Sequence, residues 1–188
     1  MVVQQKLYTA SAFWEFTRQP ENQAKRLALI DGIIVEMPPS SQKNTVIAMR
    51  IGYLMNAHVI PNNLGYVTGP DGGFTLDEYN ARQPDVAFIS KARHPVLEGV
   101  EFPIAPDLAV EVISPSESST DVLRKVQTYV RAGTRLVLTV YGDDEVVYAW
   151  RSAEDGGLHM QSFEGDDTLD CGDALPGFIL RIADIFPK

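Results

Sequence analysis

Three side chains with chemistry to offer, Asp85, Glu111 and Lys125, lie in or beside apolar runs. Glu111 stands in the middle of Pro106-Asp107-Leu108-Ala109-Val110-Glu111-Val112-Ile113, which reads as a buried β-strand. A period of two puts Asp107, Ala109, Glu111 and Ile113 on one face and Leu108, Val110 and Val112 on the other. A second predicted strand, Pro84-Asp85-Val86-Ala87-Phe88-Ile89, carries its own acid at its entrance. An unpaired ionised carboxylate in an apolar interior is costly, so a cation must lie close to these groups. A divalent metal and a lysine are the two candidates, and Lys125 follows Glu111 after a short loop and one turn of a predicted helix.

Paired strand carboxylates beside a lysine suit metal-assisted phosphodiester hydrolysis. Mg²⁺ (or Mn²⁺) prefers oxygen ligands and keeps several waters, so a small protein donor set suffices. The metal offsets charge in the transition state and lowers the pKa of a bound water. A lysine ammonium can orient that water or help deprotonate it while easing the repulsion between the acids. The competing account of Glu111 is a structural ion pair with Lys125. Buried pairs rarely stabilise a fold relative to apolar replacements, so a costly feature of this kind points toward function. Asp107, at the strand's edge and expected to be more exposed, is a lesser candidate, either behind the metal ligands or as a ligand to a second metal. Tyr129 and Gln127 read as core and helix-surface residues, and His58, His94 and His159 have no metal-ligand spacing. The Gly69-to-Gly73 loop lacks the Gly-Lys-Ser/Thr ending of a phosphate cradle.

Alternating elements position these groups. Thr9 is placed to cap a short helix through Phe13, Trp14 and Phe16, stopped by Pro20. Leu27–Ile30 and Ile33–Met37 flank Asp31-Gly32, a strong hairpin signal. Ile47, Ile51, Leu54, Met55 and His58 recur at helical spacing over about residues 44–59, with Pro61 expected to end that helix. Short strands follow around the Gly69–Gly73 turn, then the two acid-bearing strands, the second closed by Ser114-Pro115. Ser118, Ser119 or Thr120 caps a helix to about Ala132, with Gly133 after its end. Residues 135–140 and 146–150 form a hairpin, and the tail from Leu175 is expected to lead into a short terminal helix. This mix of a central sheet with helices on its faces is α/β or α+β in character.

At 188 residues the chain reads as one domain spanning 1–188. The single cysteine, Cys171, excludes an internal disulfide and suits a reducing compartment. Met1–Lys6 lacks the pattern of a signal peptide, and no apolar run approaches the ~20 residues of a membrane span. A cytoplasmic location without membrane contact is expected. The formal charge of −9 counts against a broad nucleic-acid-binding surface. Its distribution weakens that objection, because residues 142–188 hold 11 Asp/Glu against 3 Lys/Arg and the rest of the chain is nearly balanced. Lys91-Ala92-Arg93-His94 and Arg124-Lys125 remain locally basic, as phosphate contacts or as solvated surface charge.

Pro84-Asp85, the run Asp107 to Pro115, and Lys125 with Tyr129 and Gly133 together resemble the Uma-two family, a restriction-endonuclease-like branch of the PD-(D/E)XK nuclease superfamily. Leu29-Ile30-Asp31-Gly32 through Met37-Pro38-Pro39 and Leu175-Pro176-Gly177-Phe178 extend the resemblance over most of the chain. It implies a restriction-endonuclease-like core, a central mixed β-sheet flanked by helices with additional β-hairpins. It further implies a metal-dependent endonuclease acting on nucleic acid, DNA before RNA, as a homodimer. Asp85 and Glu111 would be the metal-binding acids, with the Val112 carbonyl as third ligand. Lys125 would take the lysine role, displaced from strand position 113, which is Ile here. Two positions depart from the family pattern: Ala28 replaces a common glutamate and Asn44 a common histidine. They favour an alternative, a catalytically inactive binding or regulatory module on the same fold. A third reading, an acid-pair hydrolase of the glycosidase kind, is disfavoured because the lysine serves phosphate chemistry better.

Overall fold

The strand that carries Glu111 is central to the largest sheet of the computed structural model, which describes residues 7–188; the leader-free reading of Met1–Lys6 falls outside the described residues. The chain opens with α1 (Ala10–Thr17), β1 (Leu27–Ile30), β2 (Ile33–Glu36) and α2 (Gln42–Asn62). Next come β3 (Gly65–Thr68), β4 (Phe74–Asp77), β5 (Asn80–Arg82), β6 (Val86–Ser90), β7 (Leu108–Ile113) and α3 (Ser119–Arg131). The chain closes with β8 (Leu136–Tyr141), β9 (Val146–Ser152), β10 (Leu158–Glu164), β11 (Thr168–Asp170) and β12 (Ile179–Arg181).

Six strands form the central sheet in the order β10-β9-β8-β7-β6-β3. Only β7 and β8 run parallel, and α3 supplies the crossover that a parallel pair requires. Leu108, Val110 and Val112 enter one apolar cluster with Ile47, Ile51 and Met55 of α2. Ala109 faces the opposite cluster with Val126 and Tyr129 of α3. The period-of-two reading of β7 therefore holds, and a helix covers each face. A smaller sheet, ordered β2-β1-β5-β4, packs with α1 through Phe13, Trp14, Leu29 and Ala81.

Local rules account for most boundaries. Thr9 accepts from the Ala12 N–H and Ser118 from the Asp121 N–H, each satisfying an N-terminal donor of its helix. Asp31 and Gly32 both take positive φ, the conformation a two-residue hairpin turn demands. Pro61 does not end α2; it sits inside the last turn, and Asn63 closes the helix in the left-handed region. The Ile60 and Val59 carbonyls at that end accept from the N–H groups of Asn63 and Leu64, so the turn survives the missing proline donor. The tail does lead into a short terminal helix, of the 3₁₀ kind. It contributes β12, paired with β11, followed by a single 3₁₀ turn, Ile182–Asp184.

Candidate functional site

Asp85 and Glu111 meet because β6 and β7 are antiparallel neighbours. Val86 pairs with Val110, and continuing that register by one residue sets Asp85 opposite Glu111. Asp85 Oδ2 accepts from the Val112 N–H at 2.8 Å, which ties it to the backbone beside Glu111. Burial raises the Asp85 pKa above its ordinary value, and the charge of Glu111 adds to the rise; the Val112 N–H and Arg26 oppose it.

Glu111 is buried, and both of its oxygens are engaged. Oε2 accepts from Lys125 Nζ at 3.2 Å and Oε1 from the Tyr129 hydroxyl at 2.8 Å. Lys125 and Tyr129 lie four residues apart on the inner face of α3, so one helix delivers both donors to one carboxylate. Glu117 completes the group, with Oε2 2.8 Å from Lys125 Nζ and Oε1 accepting from the Ser114 N–H. Burial pushes the Lys125 pKa down, but the facing charges of Glu111 and Glu117 outweigh it, so the ammonium ends above its usual range. Burial, with Glu111 second, drives the Tyr129 hydroxyl well up, and it stays a proton donor.

Arginines provide the remaining positive charge. Arg26, just before β1, reaches Asp85 Oδ1 at 3.0 Å and donates to Ser40 Oγ at 2.8 Å. Arg82, at the end of β5, is buried and lines a chamber of about 30 Å³ together with Arg26, Ala28, Gln83, Glu111 and Lys125. On the other side of Arg26 opens a groove of about 680 Å³ between α2 and the β3–β4 turn, lined by Asp85, Asn44, Tyr53 and Thr68 among others. Asp85 thus faces the groove, Glu111 faces the chamber, and Arg26 borders both.

The structure brings Glu111 and Lys125 into direct contact and places Asp85 one strand away, as the sequence predicts. Val112 is less available than expected, because Asn44 Nδ2 donates to its carbonyl at 3.3 Å and to that of Ile113 at 3.4 Å. The expected exposure of Asp107 is corrected. This residue is fully buried and belongs to another cluster, accepting from the Ser90 N–H with Arg93 and Arg135 within 3.2 and 3.6 Å. Arg26, Arg82 and Glu117 escaped the sequence reading. Glu117 carried a weak signal, an acid beside the loop that enters α3; the arginines carried none, since β5 is too short to show a period.

The donor set can be weighed against a divalent ion. Among the described residues no group of three or more His, Cys, Asp or Glu is arranged to hold a metal. Two carboxylates nevertheless suit a hard cation that keeps most of its waters. Each carboxylate retains lone pairs beyond its present contacts, and the repulsion between Asp85 and Glu111 is of the kind a cation relieves. The donor chemistry suits such an ion and not one that needs a complete protein cage, although Asp85 and Glu111 open onto different cavities.

Comparison with known proteins points the same way. The sequence profile of the Uma2 family, described as "Putative restriction endonuclease", matches residues 13–183. A solved structure of a "putative nuclease belonging to DUF820" from Anabaena variabilis superposes with a TM-score of 0.78 at 22% identity, covering 95% of this chain and 97% of that one. At that identity the likeness is one of fold. No curated protein matches the chain.

Proposed function

The chain belongs to the Uma2 family, and from that premise we propose that it is a metal-dependent endonuclease in which Asp85 and Glu111 hold Mg²⁺ or Mn²⁺ and Lys125 serves the reaction. The observation that carries the reading is the buried Glu111–Lys125 contact beside Asp85. DNA is the proposed substrate, residues 1–188 the working domain, and a homodimer the working form. The bound ion would supply charge neutralisation and an acidified water.

The chain's own residues divide the remaining tasks. Asp85 and Glu111 offer oxygens from neighbouring strands, and the Val112 carbonyl is a third donor only if Asn44 yields. Lys125 is held charged by two carboxylates, so it orients a water or phosphoryl oxygen through its N–H groups rather than taking a proton as a base. Tyr129 and Glu117 fix Glu111 and Lys125 in place.

A second reading, the inactive binding module, draws on specific features. Arg26 already neutralises Asp85, Ala28 lines the chamber where the family commonly has an acid, and Asn44 occupies the backbone carbonyls of 112 and 113. Plasmid nicking separates the two. The nuclease reading expects nicking that requires Mg²⁺ or Mn²⁺ and falls by ~10²-fold or more in Glu111→Ala and Lys125→Ala, the scale expected for a transition-state charge contact. Metal binding by calorimetry should vanish in Glu111→Ala. Nicking that persists unchanged in both variants would remove this site from the reaction, and its absence from the wild type would leave the binding module.

A further inference from the structure

The chamber beside Glu111 contains one charged group that the scheme above leaves without a task. Arg82 is only 6% exposed, yet its guanidinium makes no hydrogen bond or ion pair with any described residue, and its Nε is buried without a partner. The other two cations at the site are spoken for, Arg26 by Asp85 and Lys125 by Glu111 and Glu117. A largely buried cation with its Nε unpartnered and no carboxylate in contact keeps only part of its hydration, which is a cost to the fold. Such a group is expected where a ligand supplies the missing acceptor.

We propose that Arg82 is the anchor for a phosphoryl oxygen, entering the chamber with Lys125 as its second donor. The inference rests on the phosphodiester reading and names the residue that would grip the substrate. A guanidinium presents its N–H groups as a planar fork that matches phosphate, and a charge-assisted contact of this type is roughly twice as strong as a neutral one. The chamber, about 30 Å³, has room for one or two water-sized groups and not for a nucleotide, so a phosphoryl oxygen can enter it. The rest of the substrate stays in the groove beyond Arg26, where Asp85 lies. This arrangement also answers the overall acidity. Affinity for a polyanion is concentrated at one buried guanidinium, with a remaining Lys125 N–H beside it, rather than spread over a basic face.

Arg82→Met keeps an apolar stem and removes the charge. Thermal unfolding and calorimetry of the full chain, in chelator and at matched ionic strength, would use inorganic phosphate and thymidine 5′-monophosphate as probes. The wild type should bind both. Arg82→Met should bind about tenfold more weakly or worse, while melting at the same temperature or higher because an unpaired buried charge has gone. Arg82→Lys, which keeps the charge and loses the fork, should fall between them. The proposal is overturned if the wild type shows no phosphate-dependent shift, if the shift is the same in Arg82→Met, or if Arg82→Met and Arg82→Lys both lose stability while binding is retained. Nicking assays on the same proteins, with Mg²⁺ in place of the chelator, keep the two readings apart. Phosphate binding through Arg82 without nicking sinks the nuclease and leaves the anion site, whereas nicking untouched by Arg82→Met does the reverse.

Discussion

Asp85 carries a penalty that exchanging one oxygen for nitrogen would expose. Its carboxyl titrates above the ordinary 3.8, chiefly through burial and then through Glu111. The folded state therefore holds this proton more tightly than the unfolded chain does. Stability from this group is largest when it is protonated and declines as pH rises from the unfolded value through the raised one. Asp85→Asn removes the titration. In metal-free buffer the stability of Asp85→Asn relative to wild type should climb as pH rises through that window. Urea unfolding at a series of pH values checks this, and a difference that stays flat or falls would remove the burial account. Lys125 runs the other way. Its raised pKa means that its contribution is intact below the unfolded value of 10.5 and is lost as pH rises past the folded one. At this scale the sequence was informative where charge broke an apolar period, as at Glu111. It was silent where partners come from afar: Arg26 and Asp85 are 59 positions apart, and nothing local to either announces the contact.

Helix α2 shows what an element can reveal that single residues do not. Its buried side, Ile47, Ile51, Met55 and Val59, packs on the central sheet. Its outer side carries Val46, Met49, Tyr53 and Ile60, all exposed and all on one stripe at steps of three, four and seven. A run of apolar residues turned to water along one helix marks a contact surface, and a two-fold pairing of identical helices is the simplest way to cover it. Met49 and Tyr53 of this stripe also wall the groove, so if the proposed homodimer forms through α2 its seam runs along the groove's edge, and Met49→Asp should convert it to monomer in light scattering with the far-UV dichroism unchanged. A wild type that stays monomeric at every concentration, or a variant that stays dimeric, would place the interface elsewhere or nowhere. The strands were less evenly legible than the helices. β7 and β8 are buried on both faces and read at once as apolar runs, but β10 has no buried residue and no alternation, so its sequence resembles a loop. β5 is three residues long and was missed, and with it the smaller sheet that delivers Arg82. The terminal helix is present as a single 3₁₀ turn, whereas β12 just before it, paired with β11, has no signal in the sequence.

Across the whole molecule, the larger apolar cluster unites α2, the central sheet and the C-terminal segment, and Cys171 is one of its buried members. Burial pushes its thiol up to about 12, so little reactive thiolate exists at neutral pH even when the group is reached. To reach it, the segment carrying β11 and β12 must lift from α2 and the sheet, because Leu169, Leu175, Leu180 and Phe186 pack in the same cluster. As Cys171 is the only cysteine in the chain, a thiol reagent reports that separation without ambiguity. If the tail is an integral layer of the core, labelling in native buffer should be slow and should accelerate with urea as steeply as global unfolding does. Leu180→Ala, which empties part of the cluster at a cost of about 2–5 kcal/mol, should speed labelling by the factor its lost stability dictates. Labelling that is rapid, or that ignores urea while the dichroism stays native, would mean that the tail opens by itself. The cluster would then be two cooperative units, with the acid-bearing strands supported by α2 and α3 alone.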